Sequence, residues 1–310
     1  MKTGVVLPTM SRPEDAPGDV AEAARHAERL GFESAWVVDQ LIAGTGVPLV
    51  DSIVALAAAA GATSRIRLGT GVLIVPLRPV VWIAKQAASL QYVSGGRLIL
   101  GVGAGGDRHA LSWGAAGVDR KDRGRRLDAA LRTLPDLIAG RPAQLSPDGP
   151  PVRLSPPAPV PPVIVGGTSG RAFARAVAHG DGVFLIGSPE QVAADRARLA
   201  GRAAAAGRPV PAVTANAMLV LAGDETLPAP AEIARQIADP DGMFGFPAEA
   251  AAVAARITGA GPAAAYLGAL EQAGAERVVV TFPAGDWYRQ ASLLAEAAGT
   301  AGAASPRPAG

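Results

Sequence analysis

Residues Arg65–Asp107 read RIRLGTGVLIVPLRPVVWIAKQAASLQYVSGGRLILGVGAGGD and hold one complete strand-helix-strand unit. Ile66 to Val75 is a short run of Val, Ile and Leu that stops at Pro76, the pattern of a parallel strand buried on both faces. Pro79 to Tyr92 carries Val80, Ile83, Ala84, Ala87 and Leu90 at helical spacing. It ends at Ser94-Gly95-Gly96, where glycine supplies the left-handed backbone of a helix exit. Arg97 to Gly103 is again a short apolar run, and Gly101, Gly103, Gly105 and Gly106 cluster where it leaves the sheet. Ligands of parallel α/β folds bind at the carboxyl ends of strands, so the binding face is expected there.

The same rhythm extends in both directions. Upstream, Thr3 to Pro8 reads as a first strand, Asp19 to Leu30 as a helix closed by Gly31, Ser34 to Asp39 as a second strand ending in an acid, and Leu49 to Ser64 as an Ala-rich helix. Downstream, Arg120 to Ile138 is a helix whose basic first half faces solvent. The proline-rich stretch Gly140 to Pro162 follows and is not helical; within it Ala143 to Leu145 and Val152 to Leu154 can pair as a small hairpin. Strands then follow at Val163 to Gly167, Gly182 to Ile186, Ala212 to Leu221 and Arg277 to Phe282. Helices intervene at Gly170 to Ala178, Pro189 to Ala206 and Pro262 to Gly274, with irregular helical material at Pro230 to Ala255 and a last helix at Trp287 to Ala298. Eight strands alternating with helices predict a (β/α)8 TIM barrel with an insertion after the fourth βα unit. Residues 1–298 are expected to form one domain and 299–310, small residues and proline, a disordered tail.

Composition narrows the chemistry. No cysteine is present among the 310 residues, which removes disulfides, thiolate nucleophiles and Cys-ligated metals, and His26, His109 and His179 do not have metal-ligand spacing. The net charge of +2 comes without a basic cluster interleaved with aromatics, so no nucleic-acid partner is expected. No signal-peptide pattern and no apolar run of spanning length occurs, so a soluble cytoplasmic protein without a membrane partner is expected.

Several motifs admit two readings each. Gly101 to Gly106 formally matches the dinucleotide fingerprint, but the helix and acid-terminated strand that should follow are missing. The glycines either admit a flat ring to the strand ends or serve a tight turn. Gly166-Gly167-Thr168-Ser169, between a strand and a helix start, is either an anion site for phosphate or an ordinary N-cap by Thr168 or Ser169. Asp39 is either aimed at substrate or cofactor, or is a carboxylate held by a barrel arginine. His109 is a loop histidine near the expected cleft. Arg171 and Arg175 either reach a phosphate or acidic tail or are simply solvated.

In combination, GFESAWVVDQ, SRIRLGTGVLIVPLRPVVWIAKQAASLQYVSGGRLILGVGAGG, RGRRLDAAL, PPVIVGGTSGRAFARAVAHGDGVF and GAERVVV resemble the luciferase-like monooxygenase family from Thr3 to about Ala297. That family comprises FMN-dependent monooxygenases and oxidoreductases using the deazaflavin coenzyme F420, and the wording is closer to the deazaflavin-using, actinobacterial branch. The resemblance implies a cis bond between non-proline residues in the third strand, at Gly71-Val72. It implies a cofactor ring near Leu7, Asp39 and the Gly103, Ala104, Gly105 turn, with phosphate on Gly166, Gly167 and Thr168. It also suggests a homodimer.

The departures bear on the reaction. In the alcohol and sugar dehydrogenases of the family a histidine follows the second-strand Asp, a tryptophan lies four residues on, and a glutamate follows the fourth-strand glycines. Here those places hold Gln40, Gly44 and Gly106. A base for alcohol oxidation is missing, whereas reduction of a C=C or C=N bond in a small-molecule substrate by reduced F420 remains open, with Asp39, Gln40 and His109 the candidate catalytic residues. An FMN-dependent monooxygenase and a cofactor-binding protein without turnover are the alternatives.

Overall fold

Short runs of Val, Ile, Leu and Ala, apolar on both faces, form strands here because every one of them is covered by helices outside and by side chains inside. The computed structural model describes residues 1–44, 46–106, 110–146 and 148–299. Its barrel strands are β1 (Lys2–Val6), β2 (Ser34–Val37), β3 (Arg67–Thr70), β4 (Leu98–Gly103), β5 (Val163–Gly166), β6 (Gly182–Ile186), β7 (Ala212–Met218) and β8 (Arg277–Thr281). All pair in parallel; Lys2 of β1 lies opposite Arg277 of β8, and Leu68 of β3 opposite Leu98 of β4, so the sheet closes. The chain is a (β/α)8 barrel, which excludes the open dinucleotide-binding sheet.

The outer helices are α1 (Val20–Arg29), α2 (Ser52–Ala62), α3 (Val80–Ser94), α4 (Arg123–Ile138), α5 (Gly170–His179), α6 (Pro189–Ala205), α7 (Ala260–Gln272) and α8 (Trp287–Ala297). Their ends follow local chemistry. Asp19 and Asp51 accept first-turn N–H groups of α1 and α2, Ser188 and Gln191 form a capping box on α6, and α3 ends on Gly95 at φ +66°. Inside the barrel Trp36, Ile99, Ile164, Phe184 and Val279 fill the lumen; a larger core lies between sheet and helices. Burial of each such large apolar side chain contributes about 2 kcal/mol.

Three expectations need correction. The third strand does not run unbroken from Ile66 to Val75. It stops at Thr70, passes through a cis Gly71–Val72 peptide, resumes as Leu73–Ile74 beside Val102 and Gly103 of β4, and closes in a 3-10 turn at Val75–Leu77. The proposed hairpin is one antiparallel bridge, Ala143 with Val152, because the intervening prolines offer no N–H groups for a longer ladder. The seventh strand ends at Met218. Val220–Leu221 leaves the barrel and pairs in parallel with Ile257–Thr258, and helices Pro230–Ala238 and Ala248–Ala254 pack on this pair around Val220, Ile233, Ile237 and Ala251. The tail beyond 299 lies outside the described residues. Among the described residues no helix is long and apolar enough to cross a membrane.

Candidate functional site

The carboxyl ends of β1 to β5 bring most of the expected residues together, and the break after β3 organises them. Val72 drops its side chain into the lumen against the Trp36 cluster. A Cβ on Gly103 would then lie 2.6 Å from Val72 Cγ2, one on Gly166 2.9 Å from the same atom, and one on Gly101 1.9 Å from the Thr70 carbonyl oxygen. Glycine at these positions is thus demanded by protein atoms before any ligand is considered. Gly105 adds a left-handed φ of +69° with Ile74 and Trp113 against it, whereas Gly106 has open space around it.

Asp39, at the end of β2, holds the returning strand. Its carboxylate accepts hydrogen bonds from the Ile74 N–H (2.7 Å), the Ser52 hydroxyl (3.1 Å) and both terminal nitrogens of Arg78 (2.8 and 2.7 Å). The Asp39 side chain is 2% exposed and that of Arg78 19%. Burial works against the Arg78 charge, but Asp39 outweighs it and holds the guanidinium above its ordinary pKa. Of the two readings of Asp39, the carboxylate held by an arginine is the one seen, and Arg78 and Ser52 are its partners.

Gln40 follows, partly buried, with Oε1 shielded from solvent and without a hydrogen-bond partner among the described residues. Leu7 is buried at the end of β1, its N–H bonded to the Trp36 carbonyl (2.8 Å). His109 lies outside the described residues. His26, by contrast, packs edge-on against Trp287 and Tyr288 on the outer layer; burial, then Arg29, depresses its pKa.

The Gly166–Thr168 turn leads into α5. Ser169, not Thr168, is the N-cap, accepting the Ala172 N–H at 3.1 Å, and Gly167 adopts φ +121°. The first-turn N–H groups of Gly170 and Arg171 have no intrahelical acceptor by geometry. Arg175 is engaged by Asp128 (2.6 Å) and the Gly124 carbonyl, which takes it away from any ligand. Arg171 remains exposed, and Arg202 of α6, which sequence spacing did not single out, lays its guanidinium against Gly170; neither makes an ion pair among the described residues. An exposed glycine turn, free helix N–H groups and two unpaired guanidiniums fit the anionic end of a flavin or deazaflavin. Among the described residues no group of His, Cys, Asp and Glu converges as a metal site would.

Beside this site, between the β1–α1 loop, the loop after β8 and the segment following β7, lies a cavity of about 1010 Å³ whose wall includes Leu7 and Val38. Sequence reasoning did not find it, because its wall is assembled from three segments far apart in the chain.

Known proteins agree with this architecture. The 4-hydroxyprotoasukamycin monooxygenase of Streptomyces nodosus is 37% identical over 122 residues, which are 38% of this chain and 31% of that protein. The F420-dependent glucose-6-phosphate dehydrogenase of Kineococcus radiotolerans is 36% identical over 126 residues, 39% of this chain and 37% of that protein. The matched stretch thus spans about a third of the length of these curated relatives. Among solved structures, an F420-dependent secondary alcohol dehydrogenase superposes with TM-score 0.75 at 17% identity, covering 97% of this chain and 98% of that one. The monooxygenase RslO1 of Streptomyces bottropensis superposes with TM-score 0.73 at 20% identity, covering 96% and 97%. The family model for luciferase-like monooxygenases matches residues 1–305, and the chain belongs to that family.

Proposed function

We propose that the protein is an F420-dependent oxidoreductase that reduces an activated C=C or C=N bond of a small molecule. The observation that carries this reading is the state of the two polar residues at the end of β2. Asp39 has its carboxylate filled by four donors, and Gln40 is an amide with no usable basicity, so among the described residues neither takes a proton from an alcohol. A hydride delivered to an electrophilic carbon needs no such base. When bound, the deazaflavin supplies the hydride; the protein orients and shields.

The roles of the chain's own residues follow. Gly166, Gly167 and Thr168, with the α5 N-terminus, hold the phosphate, and Arg171 and Arg202 extend that site toward an acidic tail. Val72, Leu7 and the Gly103–Gly105 turn back the ring. Gln40 Oε1 is an acceptor for a substrate or ring N–H.

Titration of the purified protein with F420 and separately with FMN, followed by fluorescence, tests the cofactor. F420 binding at least tenfold tighter than FMN is the expected outcome. The monooxygenase among its curated relatives makes FMN-dependent oxygenation the second reading, and FMN preference with substrate-dependent oxygen uptake would replace the first.

A further inference from the structure

The cavity beside Leu7 has both apolar and charged walls. Met10, Phe244, Phe282 and Trp287 are among its walls, and its ionisable lining consists of two arginines and five carboxylates. Arg12 faces Glu14 (3.7 Å) and Asp15 (3.3 Å), and Arg235 is paired with Glu232, so both cations are satisfied within the wall itself. Asp239 and Asp286 make no ion pair among the described residues; they accept the backbone N–H groups of Asp241 (3.0 Å) and Arg289 (2.7 Å). Thr9, wholly buried, also lines the cavity, and its hydroxyl has no partner among the described residues. The lining therefore combines apolar side chains with an excess of negative charge, and one hydroxyl has no partner among the described residues.

We infer that the cavity selects a cationic substrate, an iminium ion that is apolar over most of its surface. The inference rests on the reading of the neighbouring site as a hydride-delivering one. Hydride from the reduced deazaflavin forms a C–H bond at the iminium carbon, and the C=N π pair moves to nitrogen and cancels its charge. The deazaflavin is oxidised, and its remaining proton leaves to solvent. No protein acid is required, in keeping with the Asp39 and Gln40 environments. The negative lining concentrates the cation before transfer, favours release of a neutral product, and disfavours carboxylates and phosphates. Because Asp239 and Asp286 are exposed, the preference is expected to be about tenfold and salt-sensitive.

The test compares N-methyl dihydroisoquinolinium, a permanent cation, with chromone, a neutral bicyclic enone of similar size, on protein loaded with reduced F420. Cofactor oxidation by the cation with about tenfold higher kcat/KM, a ratio that falls in high salt and in the Asp239→Asn/Asp286→Asn double variant, is the expected result. Equal use of both probes, or preference for chromone, overturns the inference and leaves the hydride-transfer reading standing. If neither probe oxidises the cofactor, that reading is what fails, and equilibrium dialysis of the two probes still decides the cavity. Salt-sensitive retention of the cation over chromone supports the inference, and equal retention overturns it.

Discussion

Asp39 is a candidate catalytic residue in the sequence whose carboxylate the fold already engages. An acid at the carboxyl end of a barrel strand is where chemistry is expected, yet three of its four donors tie β2 to the segment that returns after the Gly71–Val72 break, and the fourth, the Ser52 hydroxyl, ties it to the start of α2. Asp39→Ala would leave the mostly buried Arg78 guanidinium with only Asp51, at 3.5 Å, as a counter-ion. Urea unfolding should register a loss of about 3 kcal/mol or more; a loss under about 1 kcal/mol would mean that the carboxylate serves a ligand instead. The glycines make a second contrast. Gly103→Ala forces a methyl onto Val72 and should destabilise by about 1–3 kcal/mol while weakening cofactor binding. Gly201→Ala, on the exposed face of α6 with no neighbour within 4 Å of the new methyl, should stabilise by about 0.5–1 kcal/mol.

At the scale of elements, two carboxylates tie barrel parts together. Burial works to raise the Glu33 carboxyl, but the Arg277 guanidinium on β8 outweighs it (2.7 and 2.8 Å), and the pKa falls below its ordinary 4.5. Glu28 of α1 behaves likewise, with burial opposed by the N–H groups of Ile66, Arg65 and Ser64 at the entry to β3. Both folded values lie under the unfolded ones, so their stabilisation is complete above about pH 4.5 and drains away as pH falls through the lowered values. Urea midpoints measured from pH 6 downward should fall across that window, and Glu33→Gln should flatten the slope. The alternation of strands and helices was legible in the sequence because buried parallel strands and amphipathic helices have different periods, and Gly31, Gly95 and Ser169 mark helix ends. The break at Thr70 was not legible from periodicity, since residues on both sides stay buried; only the family resemblance pointed to Gly71-Val72. The segment after β7 was read as irregular because its helices are short and separated by Pro240 and Pro247. In the site, the Gly166–Thr168 turn was legible from local spacing, whereas Arg202, Thr9 and the cavity depend on contacts between distant segments.

For the whole molecule, the outer face of α2 and α3 stands apart. Helix α2 has no charged residue and is apolar all round, a pattern of helices covered on every side, yet Val54, Ala57, Ala58 and Gly61 are exposed, as are Trp82 (62%) and Val93 (58%) on α3. The expected occupant is a second copy of this chain: light scattering should give a dimer, and Trp82→Glu should shift it toward monomer. The closing seam of the barrel has a consequence of its own. Since Lys2 lies opposite Arg277, β1 leaves the ribosome with one side unmatched and stays an open edge until β8 has been synthesised. At ordinary rates of translation that interval is roughly 15–60 s. Until then one edge of β1 has no partner, so the barrel closes only when the last strand to be made pairs with the first.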